Sequence, residues 1–252
     1  MPSGEDYPKI TMPESEATTV DGKALAAALR QVVPAASTDN TRMVLTGVLF
    51  DPTDDGLRLV ATDSYRLAVR DLPGSGFLST RALVPAVALA ALERSIDGGE
   101  IAVRADDRRI AFASNRTVIQ SRLIGEEFPN YAALLPTNAT TKWSTSRAEL
   151  LETLKRAEVL LKHTSSPVRV TLAATVTVSA ALAGDEFVEE TDAGTRTGAE
   201  ITFAVNPTML RAGVEACGGE EITLELTDPL RPIKLTAADD PRITYIVMPM
   251  RV

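Results

Sequence analysis

The chain has 252 residues, 44% hydrophobic and 24% charged, and 34 acidic against 26 basic side chains give a formal charge of −8. That length suits one large domain or two ordinary ones, and the acidic balance excludes a basic protein that coats nucleic acid with its whole surface. One cysteine rules out an internal disulfide, and no apolar run reaches the roughly 20 residues of a membrane helix, so no membrane association is expected.

In chain order, one pattern recurs about every 60 residues: a short amphipathic helix, then three or four alternating strands. The first helix, DGKALAAALRQVVPAA from Asp21, sets Leu25, Leu29 and Val33 on one face. Strands are predicted at MVLTGVLFD, LRLVATDS and YRLAVRDL, with PTDDG (52–56) as a turn. A second helix, ALVPAVALAALERSI from about Ala82, leads into EIAVRADD, RRIAFASN and TVIQSRLI. Residues 126–143, EEFPNYAALLPTNATTKW, interrupt the pattern with two prolines and a polar run, which divides the chain into domains at 10–127 and 128–252.

The third helix, SRAELLETLKRAEVLLKH, opens at Ser146 with Glu149 three residues on, the spacing of a capping box. VRVTLAA, TVTVSAAL and GDEFVEETDA follow, and EITFAV opens the last unit. The fourth helix, NPTMLRAGVEAC, has Asn206 as N-cap and Pro207 at its first position, ahead of EITLELTD, IKLTAADD and RITYIVMP. This order predicts α+β domains, antiparallel sheets with helices on one face.

Catalytic chemistry is scarce. His163 is the single histidine and reads as a partner of helix-end carbonyls. Cys217, the single thiol, reads as a small buried hydrophobe. HExxH, CxxC, GxSxG and GxxxxGK[ST] are all missing, so no cofactor or metal and no enzyme activity are expected. The carboxylate pairs Asp54-Asp55, Asp106-Asp107 and Asp239-Asp240 all fall between strands and read as solvated turns.

Four segments in one frame resemble the β sliding clamp family, the bacterial DNA polymerase III β subunit. They are MVLTGVLF with LVATDSYRLAV, then EFPNYAALLP, NPTML and the terminal YIVMPMRV. The resemblance covers about residues 10–252 and matches the family's central and C-terminal domains. Family members have three domains, and EDYPKITMPE is similar to the linker between their first two, so the sequence fits either a short clamp or a fragment. Met209 stands where a tyrosine is usual, and Ser64-Tyr65 replace a Gly-His pair.

The resemblance implies a DNA clamp fold of two domains, each of two helix-plus-antiparallel-strand repeats. It also implies a pocket for short linear motifs of polymerase subunits, clamp loader and repair proteins. One wall would be Leu45, Thr62, Ser64, Tyr65, Arg66 and Leu67, with Pro136 from the connector. Leu230, Pro232, Val247, Met248, Pro249, Met250 and Arg251 would form the other wall, with Asn206 and Met209 at the rim. Duplex DNA would be contacted without sequence preference by Lys23, Arg30, Arg81, Arg94, Arg147, Lys155, Arg156, Lys162 and Arg211, on or beside helices lining a ring. Six domains close the family's ring, so a two-domain chain would form a homotrimer, in the cytoplasm at the nucleoid. The alternative is an adaptor that keeps the motif pocket without encircling DNA.

Overall fold

In a computed structural model, which describes residues 11–161, 166–182, 185–191 and 194–251, each repeat has a strand ahead of its helix as well as after it. The first unit runs β1 (Thr18–Asp21), α1 (Gly22–Val32), β2 (Gly47–Thr53), β3 (Gly56–Thr62) and β4 (Arg66–Pro73). The second is β5 (Ala82–Pro85), α2 (Ala86–Ser95), β6 (Glu100–Ala105), β7 (Arg109–Ala113) and β8 (Val118–Arg122). The third is β9 (Thr141–Ser146), α3 (Arg147–Leu160), β10 (Val168–Leu172), β11 (Val176–Leu182) and β12 (Asp185–Thr191), with a short β13 (Thr195–Gly198) after it. The fourth is β14 (Ile201–Val205), α4 (Pro207–Cys217), β15 (Glu221–Leu226), β16 (Ile233–Ala237) and β17 (Ile243–Val247).

The structure moves three sequence boundaries. ALVP, expected to open the second helix, is β5, and the helix begins only after Pro85. TKWSTS, whose first three residues were expected to end the connector and whose Ser146 was expected to open the third helix, is β9, where Thr141, Trp143 and Thr145 alternate inward. Threonines at two of those three buried positions made the strand look polar. MVLT is not strand but the end of a tight turn at Asn40–Thr46. Side chains cap α1, α3 and α4, the last two as expected, while α2 follows Pro85 without a side-chain cap. Asp21 Oδ1 accepts from the Ala24 amide at 2.7 Å, and Asn206 Oδ1 accepts from the Thr208 and Met209 amides at 3.0 and 3.2 Å.

The strands form three antiparallel sheets. Two have four strands, in the orders β1-β6-β7-β8 and β12-β11-β10-β14. The third has nine, β13-β9-β15-β16-β17-β4-β3-β2-β5, and joins the two halves through β17 and β4, where Ile243 faces Arg70 and Val247 faces Arg66. The Asp71 amide donates to the Arg242 carbonyl at 2.9 Å beside that seam. Asp240, expected as a solvated turn residue, instead forms an ion pair with the largely buried Arg70 across the seam. The helices make one layer: α1 packs on α2, α3 on α4, and α1 meets α4 at the junction.

Most of the core lies between helices and sheets. A second cluster lies on the other side of the nine-stranded sheet. There Phe128 and Tyr131 of the connector cover Leu49, Val60, Leu67, Val69 and Leu83. The Tyr131 hydroxyl donates to Asp51 Oδ2 at 2.7 Å, and Arg81 Nε donates to Asp51 Oδ1 at 2.7 Å. The aromatic pair of the EFPNY segment therefore pins the connector to the sheet.

Helix α4 can approach β17 closely only because Gly213 has no side chain. A Cβ there would lie 2.8 Å from the Tyr245 ring and 3.2 Å from Leu235. Alanine ordinarily gains about 1 kcal/mol over glycine inside a helix. Here overpacking, typically about 1–3 kcal/mol, opposes that gain because Tyr245 is fully buried. Gly213→Ala is expected to lower the urea midpoint at unchanged slope; a raised midpoint would contradict the close contact.

A tail groove and a charged helix layer

The C-terminal tail leaves β17 and runs back across the molecule. The Met248 amide donates to the Tyr65 carbonyl at 2.8 Å, and the Met250 amide to the Ala204 carbonyl at 2.7 Å. The second contact lays the tail along β14 and shapes a groove of about 340 Å³. Its lining is Arg169 of β10, Thr202, Phe203 and Ala204 of β14, Pro229 and Leu230 of the β15–β16 turn, and Met250 and Arg251 of the tail. Asp228 holds the turn, with its Oδ1 accepting from the Leu230 amide at 2.9 Å, and Leu230 is left 56% exposed. Arg169 and Arg251 are exposed and have no ion-pair partner among the described residues.

The structure thus brings Leu230, Met250 and Arg251 of the expected pocket into one groove, with Met248 and Tyr65 adjacent at the seam. Pro136, Pro232 and Pro249 are half-buried nearby in sequence to the connector, turn and tail. Other expected members serve the fold. Leu45, Leu67 and Val247 are buried. Asn206 caps α4, and Met209 packs against the core. Thr62 Oγ1 donates to the Arg66 carbonyl at 2.7 Å and accepts from the Ser64 amide at 3.1 Å. Arg66, expected to face a ligand, donates through Nε to Asp63 Oδ2 at 2.9 Å. Ser64 has φ +81, the left-handed region that favours glycine, and its Oγ accepts from Arg42 at 3.1 Å. Sequence reasoning missed Arg169, Phe203 and Pro229, because their place depends on where the tail pairs.

The larger groove, about 970 Å³, lies elsewhere, between the start of β5, the β6–β7 turn and the residues after β8. It is a repeat-related counterpart: the Ile124 amide donates to the Leu83 carbonyl at 2.8 Å, as Met250 does to Ala204. Arg81, Arg108, Arg109 and Arg122 line it.

The helix layer carries seven basic residues (Lys23, Arg30, Arg94, Arg147, Lys155, Arg156, Arg211) and five acidic ones (Glu93, Glu149, Glu152, Glu158, Glu215). The layer is therefore weakly positive within a chain of −8. Ion pairs hold four of the seven helix cations: Arg30 with Glu93 at 2.7 Å, Lys155 with Glu152 at 2.8 Å, Arg156 with Glu189 at 2.6 Å and Arg211 with Glu158 at 3.0 Å. Arg147 donates to the Val214 and Glu215 carbonyls at 2.9 and 3.2 Å, closing the end of α4. Lys23 and Arg94 are exposed with no ion-pair partner among the described residues. Arg81 corrects the sequence reading: bound to Asp51, it lies on the sheet face away from the helices. Lys162 and His163 lie outside the described residues.

Two consecutive α+β domains, with a helix layer on one side and a sheet running through the junction on the other, have the architecture of a DNA clamp. Residues 19–130 match the family model of the DNA polymerase III beta subunit central domain, and residues 132–251 match its C-terminal domain. The beta sliding clamp of Streptomyces coelicolor is 31% identical over 264 residues, covering 98% of this chain and 70% of its own length. That of Synechococcus elongatus is 30% identical, covering 99% and 69%. The crystal structure of the DNA polymerase III beta subunit from Thermotoga maritima superposes with a TM-score of 0.92 at 28% identity, over 100% of this chain and 70% of that one. The chain belongs to the DNA polymerase III beta subunit family, the β sliding clamps.

Proposed function

We propose that the chain is a non-catalytic processivity factor that encircles duplex DNA as a ring of three copies and tethers replication and repair proteins through the groove beside the C-terminal tail. The observation that carries this is the family match across both domains, together with the helix layer that the fold sets on one side. Family membership favours the clamp over a non-ring adaptor. A weakly positive, mostly ion-paired inner layer suits sliding, since each free phosphate contact adds salt-sensitive affinity that would slow it. In the groove, Leu230, Phe203 and Met250 offer apolar contacts, and Arg169 and Arg251 offer donors for a motif's polar groups. A methionine wall suits several partners, because the thioether repacks readily.

The linkage test uses plasmid. Protein assembled with nicked circular duplex should co-elute with it through gel filtration at moderate salt, and a single cut in the circle should release it. Equal retention on linear and circular DNA would sink the ring.

A further inference from the structure

We infer that the arginine-lined groove between β5 and the end of β8 is a second binding site, and that its occupant is an acidic linear segment of a partner protein. The groove is built on the frame of the tail groove. There the Met250 amide donates to the Ala204 carbonyl; here the Ile124 amide donates to the Leu83 carbonyl at 2.8 Å. In the β15–β16 turn Asp228 Oδ1 accepts from the Leu230 amide, two residues on, at 2.9 Å. In the β6–β7 turn Asp106 Oδ1 accepts from the Arg108 amide, also two residues on and at 2.9 Å. These bonds align the two grooves position by position, with Leu83 in the place of Ala204, Ile124 in that of Met250 and Arg108 in that of Leu230.

The shared frame carries different chemistry. Counted from the same bonds, Arg81 stands where the tail groove has Thr202, and Arg122 stands where the tail has Met248. With Arg108 in place of the protruding Leu230, three neutral positions have become guanidinium groups. Ala82 replaces Phe203, so the floor loses its aromatic ring and the groove widens to about 970 Å³ from about 340 Å³. Leu123 and Ile124 stay half-buried and keep a short apolar strip along one side.

Two of the four arginines are already matched, Arg81 with Asp51 at 2.7 Å and Arg109 with Asp106 at 2.8 Å. Glu127 lies near Arg81, the arginine that Asp51 holds. Arg108 and Arg122 are exposed and have no ion-pair partner among the described residues, against one exposed carboxylate in the lining, Asp107. Free guanidinium forks match carboxylates in shape as well as charge. The chain carries −8 overall and repels acids at long range, so attraction of an acidic segment is a local property of this groove. Nucleic acid fits less well. Among the described residues the lining holds no aromatic ring on which a base could stack, and Asp107 repels phosphate. Arg81 sets the groove on the sheet face away from the helix layer, which leaves it open to a protein while the helices face DNA.

Fluorescence anisotropy on the full chain tests the site with two labelled probes, the acidic octapeptide GDELDELG and a Q-x-x-L-F-type peptide. Arg108→Glu combined with Arg122→Glu should weaken the acidic probe by about tenfold or more, the loss of charge-assisted hydrogen bonds. Binding of the Q-x-x-L-F-type peptide and the melting temperature should not change, because both arginines are exposed and lie outside the tail groove. Serine in place of the leucines of the acidic probe should also weaken it, through the lost contact with Leu123 and Ile124. An acidic probe that does not bind the parent, or that binds the doubly reversed chain equally well, overturns the site. Loss of the acidic probe on Leu230→Ala combined with Met250→Ala would assign it to the tail groove and overturn the site too. A thymidine oligonucleotide that displaces the probe and needs the same two arginines would overturn the acidic segment as occupant in favour of single-stranded nucleic acid.

Discussion

A chain carrying Leu230→Ala and Met250→Ala is expected to bind a hydrophobic Q-x-x-L-F-type peptide at least about 30-fold more weakly than the parent. That loss is the roughly 2 kcal/mol typical of interface hot spots. Leu230 protrudes from its turn, and Met250 lies in the tail that defines the groove. Neither belongs to the buried core, so the melting temperature should hardly move and the loss can be assigned to the site. Arg251→Ala should add to it, by removing an unpaired guanidinium at the groove's end. Arg66→Ala should behave differently. Its guanidinium is already held by Asp63 next to the hairpin turn, so the variant should cost stability more than affinity. Fluorescence anisotropy with a labelled peptide measures all three. Unchanged affinity in the double variant would remove the groove from the motif-binding role.

The contrast between Arg66 and Arg251 shows what the sequence could and could not reveal. Repeats, caps and strands with clean alternation were legible, because each depends on residues within a few positions of one another: Asp21, Ser146 and Asn206 all sit at helix starts. The tail motif pointed to Met250 and Arg251 through family resemblance. What stayed hidden depends on long-range pairing. Ala204 meets Met250 across 46 positions of chain, which is why Thr202 and Phe203 entered the groove unannounced. Arg81 looked like one more helix cation until its partner Asp51 placed it behind the sheet. β9 was missed because its inward side chains include Thr141 and Thr145 on either side of Trp143. Asp240 looked solvated because nothing local announces Arg70, 170 residues away.

Stability should fall steeply in alkali, because two buried acids are neutral in the fold. Burial pushes the Cys217 thiol up to about 12, and it pushes the Tyr245 phenol up to about 12 against a smaller opposing pull from Arg66. The two lie on facing elements, α4 and β17, whose close approach Gly213 permits. Unfolded, they would ionise near the reference values of 9.0 and 10.0. Folded pKa values raised above unfolded ones mean that the stabilisation is complete below pH 9. It is then lost as pH rises through the window from 9 to 12, since only the unfolded chain can release those protons cheaply. Between pH 8 and pH 11 the combined loss is on the order of 4 kcal/mol, most of it from the thiol. That is a large share of the 5–15 kcal/mol or so that holds a domain folded. Cys217→Val keeps a small apolar group in the same place and removes the thiol's part, leaving a fall of roughly 1–2 kcal/mol. Urea unfolding of parent and variant at pH 8 and pH 11, with reductant present, measures the difference directly. Parallel losses in the two proteins would show that Cys217 is not the group whose ionisation opens the α4–β17 contact.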